Sequence, residues 1–385
     1  MGAEERDPVR PEGSRRGAGW ARRPGLCTTK GTMADDASAS EPRLEPLDRV
    51  AVLGAGSWGT ALAIHAARRG RPTRLWTRTA EHRAAMDADG RNTRYLPDFA
   101  FPEGLTPEDD LDRALEGAEL VICGIPSHGM RAMMQRVAAS MIERSAAPPM
   151  YLIAAKGIEV DSLANMHQVL CEELPPEHRD RIAALGGPSF AAEVAQGLPT
   201  TVVVGSEHER VRLSVQRLLS GAGVRAYVTD DILGVELGGA FKNVIALAAG
   251  VGDGAGLGQN ARAGIITRGL AEISRLAVAL GALPATLSGL AGIGDLVLTC
   301  TGGLSRNRRV GIALGEGKKL EQILEEMGMV AEGVKNTKSA HQLAQQQGVE
   351  MPLVAMMHAI LYEQMAVPDA VDALMGRALR AEREW

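Results

Sequence analysis

Between residues 49 and 231 the chain alternates short, strongly apolar runs with longer stretches whose apolar side chains recur every three or four positions. The runs fall at 50–53, 73–77, 120–125, 151–155, 183–185 and 201–204, with amphipathic stretches such as 130–144 and 163–173 between them. Short apolar runs read as strands, and a spacing of three and four reads as one face of a helix. Strand and helix in alternation predict a mostly parallel sheet covered by helices on both faces. After Asp231 the β-branched runs stop, and helical spacing continues through 232–251, 261–280, 320–327, 337–347, 353–364 and 369–379, punctuated by Gly, Pro and Asn. The expected fold class is α/β: a doubly wound sheet over residues 47–231, then an all-helical domain over 232–385, with the active site between them. Residues 1–46, rich in Arg, Gly, Pro, Ser and acidic side chains, lack periodic apolar positions and read as a disordered extension. Its acidic residues do not suit a transit peptide, and Met33 offers a later start.

The first predicted strand breaks into Gly54-Ala55-Gly56-Ser57-Trp58-Gly59, followed by an alanine-rich helical stretch over 60–69. That order is the one a dinucleotide's pyrophosphate requires. Gly54 permits the tight turn, Gly56 lets the backbone approach the phosphates, Gly59 allows close helix packing, and the phosphates lie on the helix N-terminus. A short glycine turn of some other α/β fold is the plainer alternative, but the strand before and helix after favour a Rossmann domain that binds NAD(P) or FAD. The second strand ends at Arg78, where an NAD-preferring site would place an acidic residue. A guanidinium there can pair with a 2′-phosphate, which favours NADP(H) over NAD, against the alternative of a solvated arginine at a strand end.

Composition narrows the partners. With 385 residues, 45% hydrophobic and 23% charged, and a formal net charge of -5, the chain has no global basic field to attract nucleic acid or an anionic membrane. An anionic substrate must therefore meet a local cluster. Cys27, Cys123, Cys171 and Cys300 are widely spaced and form no C-x-x-C pair, which points to reduced thiols in a cytoplasm and to no cysteine-based metal site. No run approaches the roughly eighteen apolar residues of a membrane span, so a cytoplasmic protein without a membrane segment is expected.

Three anomalies in the second half carry chemistry. Lys242 is the one lysine of the largely apolar stretch 235–246, where burial would lower its pKa and suit it to proton transfer near neutral pH; a snorkelling lysine is the bland alternative. Asp295 sits alone among small and apolar residues and needs a cation, for which Lys242 is the natural candidate, unless it merely caps a helix. Ser305-Arg306-Asn307-Arg308-Arg309 combines a serine N-cap, exposed backbone N–H groups and guanidinium, a phosphate site unless it is only a solvated helix face. Two loops complete the set: Lys156-Gly157 follows one predicted strand and Gly186-Gly187-Pro188-Ser189-Phe190 another, both at the strand ends where open α/β sheets bind ligands.

Taken together, GAGSWGTALA from Gly54, AAKGIE from Ala154, GGPSFAAE from Gly186, LGGAFKNVIALAAG from Leu237, AGIGDLVLTCTGGLSRNRR from Ala291 and AEGVKNT from Ala331 resemble NAD(P)-dependent glycerol-3-phosphate dehydrogenases of the bacterial type. The likeness runs from residue 50 to about residue 380. It implies interconversion of dihydroxyacetone phosphate and sn-glycerol 3-phosphate, a precursor of phospholipid head groups, by hydride transfer at C2. By this resemblance Lys242 is the proton donor or acceptor. Lys156, Gly187, Ser189, Lys242, Asp295, Ser305, Arg306 and Asn307 match substrate contacts, with Lys156 and Asp295 assisting catalysis. Ser57, Trp58, Arg78, Lys156, Ala191, Arg306, Val330 and Glu332 match cofactor contacts, Tyr95 being a further candidate beside the glycines. No metal is implied, and a homodimer is expected from the apolar content of the helical half. The competing expectations are a two-domain β-hydroxyacid or ketopantoate-type reductase, an FAD-linked enzyme, and a dinucleotide sensor that has lost its chemistry.

Overall fold

The structure is a computed structural model that describes residues 44–143, 147–327 and 332–382. Its strands are β1 (Val50–Leu53), β2 (Thr73–Trp76), β3 (Arg91–Asn92), β4 (Leu96–Ala100), β5 (Leu105–Glu108), β6 (Leu120–Cys123), β7 (Met150–Ile153), β8 (Ile182–Gly186), β9 (Thr200–Gly205) and β10 (Val224–Thr229). Eight of them form one sheet in the order β10-β9-β8-β7-β6-β1-β2-β5, while β3 and β4 make a separate antiparallel pair. Every neighbouring pair in the large sheet is parallel except β8 and β9. The mostly parallel sheet is as expected.

Side chains along β1 show how the sheet is covered. Val50 and Val52 enter the hydrophobic cluster on one face, Ala51 and Leu53 the cluster on the other. Central residues such as Ile122 and Leu152 are fully buried, worth ~1.5–3 kcal/mol each.

Two strands of the large sheet were not expected, β5 and β10, and both lie at its edges. Pro107 in β5 cannot donate to a ladder, which restricts it to an edge and blurs its strand pattern. In β10 the exposed Arg225 and Tyr227 alternate with buried Val224 and Ala226, a half-solvated pattern weaker than the continuous apolar runs of the centre. The start of the ordered chain also differs from expectation. Glu45, placed in the extension from the sequence, is held by Arg181 and Arg210, and its N–H donates to Ser214 Oγ at 3.1 Å. Residues 1–43 of that extension lie outside the described residues.

Beyond β10, Asp231 caps the long helix Ile232–Gly254 by accepting from the Gly234 N–H at 2.8 Å. Around it gather the helices Gly258–Ala279, Asp295–Thr301, Arg306–Gly315, Glu332–Gln347 and Pro352–Tyr362, which share its apolar core. Contrary to the expectation from the sequence, this helix is long and apolar enough to cross a membrane. Its apolar surface is turned inward, with 94% of its most apolar 18-residue window buried by protein.

Candidate active site

The glycine turn leaves β1 with the geometry its sequence requires. Gly54 has φ +111, a left-handed backbone that other residues rarely adopt. A Cβ on Gly59 would stand 1.9 Å from the Gly54 carbonyl oxygen, so only glycine lets the helix Ser57–Arg68 approach so closely. A Cβ on Gly56 would meet nothing within 4 Å, and no side chain caps that helix. Its first N–H groups therefore face open space, the arrangement that receives a pyrophosphate. The turn is braced by Asn92, fully buried, whose Nδ2 donates to Ala55 O at 2.9 Å and to Thr60 Oγ1 at 2.8 Å.

Around this turn the expected cofactor contacts divide. Ser57 Oγ donates to Tyr95 O at 2.8 Å, which ties the turn to the β3–β4 hairpin. Trp58 Nε1 is buried with no partner among the described residues, a donor that a bound group would satisfy. Arg78 lies just beyond β2, exposed. Ala191 begins the short helix Ala191–Gln196 after the Gly187 loop. Glu332 accepts from the Ser127 hydroxyl at 2.8 Å and from its N–H at 3.3 Å, which joins the second half of the chain to the loop after β6. Val330 lies outside the described residues.

At the ends of β7 and β8 the chemistry converges. Asp295, 1% exposed, accepts from Lys242 Nζ on Oδ1 and from Lys156 Nζ at 2.7 Å on Oδ2. The carboxylate thus bridges two ammonium groups, and its place at the start of Asp295–Thr301 adds the favourable end of the helix dipole. Its side chain caps nothing. Lys242 also donates to Thr299 Oγ1 at 2.9 Å, and Lys156 to Gly187 O at 3.3 Å. Ser189 Oγ donates to the same Gly187 carbonyl at 3.0 Å.

Burial pushes the Lys242 pKa down to about 7; the charge of Asp295 pulls upward and that of Lys156 pushes further down. For Asp295 burial opposes ionisation, but Lys156 and Lys242 outweigh it and hold the carboxyl below its ordinary value. The result is a buried amine able to exchange a proton near neutrality beside a second, partly exposed positive charge. Gly238 makes this packing possible, since a Cβ there would lie 2.5 Å from Ala291 O in the turn that leads to Asp295.

The arginine segment forms the next wall. Ser305 caps Arg306–Gly315, its Oγ accepting from Arg308 N–H at 3.3 Å. Arg308 turns back to Asp253, with Nη2 2.6 Å from Oδ2, whereas Arg306 and Arg309 are exposed. Asn307 is buried and engaged at both ends of its amide: Nδ2 donates to Asn243 Oδ1 at 2.9 Å, and Oδ1 accepts from Gly333 N–H at 3.0 Å. Arg306, beside the Ser305 cap, and Arg309 are thus the guanidinium groups of the segment not drawn to Asp253.

Family models for the N-terminus and the C-terminus of NAD-dependent glycerol-3-phosphate dehydrogenase match residues 49–212 and 231–372. The chain belongs to this family. It is 49% identical over 335 residues to a glycerol-3-phosphate dehydrogenase [NAD(P)+] of Geobacter sp. (strain M21), covering 87% of this chain and 99% of that protein. The protein of the same description from Thioalkalivibrio sulfidiphilus is 48% identical, covering 86% of this chain and 98% of its own length. Among solved structures, glycerol-3-phosphate dehydrogenase from Coxiella burnetii superposes with a TM-score of 0.80 at 41% identity, covering 86% of this chain and 99% of that one. The yeast structure, at 24% identity and a TM-score of 0.71, shares the fold and covers 86% of this chain and all of that one.

Within this family member the sequence pattern exposed the charged residues and missed the neutral ones that hold them. Thr299, one helical turn after Asp295, accepts a hydrogen bond from Lys242 Nζ, yet a threonine at that spacing reads as an ordinary helix position. Asn92, Ser127 and Asn336 were likewise silent, because their partners are backbone groups and side chains far away in sequence.

Proposed function

We propose that the chain reduces dihydroxyacetone phosphate to sn-glycerol 3-phosphate, and catalyses the reverse, with NADPH as the preferred cofactor. The observation that carries this is the buried Lys242 amine on Asp295, between the ends of β7 and β8 and the arginine helix. Membership in a family of NAD(P)-dependent enzymes supports NAD or NADP as cofactor. The open N-terminus at Gly56 and the unpartnered Trp58 Nε1 fit such a dinucleotide, and exposed Arg78 supports the NADPH preference.

When bound, the nicotinamide supplies the hydride for C2 of the ketone. Lys242 gives its proton to the developing alkoxide in reduction and, neutral, takes the hydroxyl proton in oxidation. Lys156 adds positive charge where the oxygen becomes anionic. Arg306, with the Ser305 end of its helix, holds the remote phosphate so that phosphate binding positions the reacting carbon. Gly187, Ser189 and Asn307 complete the substrate walls. The product supplies glycerophospholipid synthesis. We extend the proposal to a two-domain division near Asp231 and to a cytoplasmic homodimer. The buried thiols Cys123, Cys171 and Cys300 suit a reducing compartment. Exposed Leu257, Val278 and Leu283 suit an apolar contact between copies, and a sedimentation mass of 40.7 kDa would rule the dimer out.

The testing experiment is spectrophotometric oxidation of NADPH and of NADH with dihydroxyacetone phosphate, run beside ketopantoate. Activity with the phosphorylated ketone and none with ketopantoate is expected; the opposite order, or activity with neither, would reject the assignment. Arg78→Ala should lower kcat/KM with NADPH more than with NADH, and an unchanged ratio would remove Arg78 from the 2′-phosphate. Arg306→Ala should raise KM for the phosphorylated ketone by ~10-fold or more, the worth of a charge-assisted contact. An unaltered KM would place the phosphate elsewhere.

A further inference from the structure

We infer that Asn336 is a positioning residue: its buried amide fixes the backbone of Lys156 against the helix of Lys242, and so sets how the two ammonium groups share Asp295. The inference rests on the reaction proposed above and names a further residue for it. Asn336 lies on Glu332–Gln347, with none of its surface exposed. Its Nδ2 donates to Ala240 O at 2.9 Å and to Lys156 O at 3.3 Å, and its Oδ1 accepts from Ile158 N–H at 3.4 Å. One planar group thus uses both donors and an acceptor to join two segments that are separate in sequence.

The segments are the ones that matter. Ala240 is two residues before Lys242 on Ile232–Gly254, and Lys156 and Ile158 form the loop after β7. That loop is anchored further along by Glu159, which takes a forked contact from Arg131: Nε to Oε1 at 3.0 Å and Nη2 to Oε2 at 2.7 Å. At Lys156 itself the grip on the backbone is Asn336. The same helical turn carries the two other links already described, Glu332 to Ser127 and Gly333 to Asn307. The start of Glu332–Gln347 therefore braces the lysine loop, the lysine helix and the arginine helix together.

The consequence is electrostatic. Lys242 feels the attraction of Asp295 and the repulsion of Lys156, and Cys300, pushed up to about 12 by burial, stays neutral beside it. If the Lys156 backbone slackens, its ammonium leaves Asp295, the repulsion falls, and Lys242 holds its proton to higher pH. A misplacement of this kind also slows proton delivery.

The test uses the full chain with Asn336→Ala, Lys156→Met and the double variant. Asn336→Ala should lower kcat by ~10-fold to 100-fold with little change in NADPH binding. It should also move the pH at which ketone reduction declines upward. Lys156→Met should move it in the same direction, and Asn336→Ala should add no further movement in that background. A lower kcat with an unmoved pH profile, or an equal movement in the Lys156→Met background, would reduce Asn336 to a structural residue and overturn the inference. If Asn336→Ala fails to fold, the neutral Asn336→Ser is expected to give a smaller shift of the same sign. Titration of the Lys242 13Cε NMR signal reads the same shift without turnover. Failure of wild type to reduce dihydroxyacetone phosphate would therefore reject the proposed reaction while Asn336 is still judged by its effect on Lys242.

Discussion

Lys242→Ala should lower kcat for dihydroxyacetone phosphate reduction by ~10²–10⁴, the usual worth of a positioned general acid. NADPH binding should remain measurable. The reasoning begins with burial. Lys242 is 6% exposed on a largely apolar helix, and among the described residues Asp295 and Thr299 are the partners of its ammonium. A lysine kept there at the cost of desolvation, with its pKa brought down to about 7, is suited to give up a proton that an exposed lysine would retain. Truncation to alanine leaves Asp295 with Lys156, so the fold should survive and the loss should be chemical. The check is steady-state kinetics with fluorescence titration of NADPH. Turnover within a few fold of wild type, with the variant folded, would take Lys242 out of the proton transfer.

Asp295→Ala should produce the largest loss of stability at the site, on the order of 3–5 kcal/mol, because it strands two ammonium groups in a largely buried setting. Asp295→Asn keeps the shape and two oxygen lone pairs, and should lose less. The deficit has a pH signature. Without Asp295, the folded-state pKa of Lys242 falls further below that of the unfolded chain, so the folded variant binds fewer protons and gains stability as pH rises. The gap between wild type and variant is therefore widest at low pH and narrows as pH rises towards about 7, above which the folded wild type has also lost the Lys242 proton and the gap stays constant. Denaturant unfolding at pH 6 and pH 9 measures this. A gap that is constant or widens with pH would contradict the shared-carboxylate geometry.

The sequence showed these two residues because an ammonium or carboxylate in a largely apolar stretch is costly to bury without a partner or a function, so Lys242 and Asp295 were legible from the sequence. The glycine turn was legible for a similar reason, since Gly54 and Gly59 occupy positions that a Cβ would forbid. The centre of the sheet followed from continuous apolar runs. Its edges did not, because β5 carries Pro107 and β10 alternates exposed Arg225 and Tyr227 with buried neighbours. Lys156 was placed at the site as a loop lysine, but its bond to the second oxygen of Asp295, 139 positions away, depends on the packing of Gly238 against Ala291. Asn307 was expected as a substrate contact by resemblance. In the structure its amide is already held by Asn243 and Gly333, so it first of all joins three helices. Neutral residues such as Thr299 and Asn336 give no charge anomaly, and their roles become visible only when the distant Lys242 amine meets the one and distant backbone carbonyls meet the other.

The central claim is that a desolvated Lys242, poised on Asp295, carries the proton of the dehydrogenase reaction. The pH dependence of kcat/KM for NADPH-driven reduction of dihydroxyacetone phosphate tests it most directly. The substrate phosphate titrates near pH ~6, so the decline above that range reports the protein. The expected result is a fall with rising pH through a single ionisation near 7 in the ketone-reducing direction, a rise through the same ionisation in the alcohol-oxidising direction, and loss of both in Lys242→Ala. A flat profile from pH 7 to pH 9, or the same limb surviving in Lys242→Ala, would contradict it.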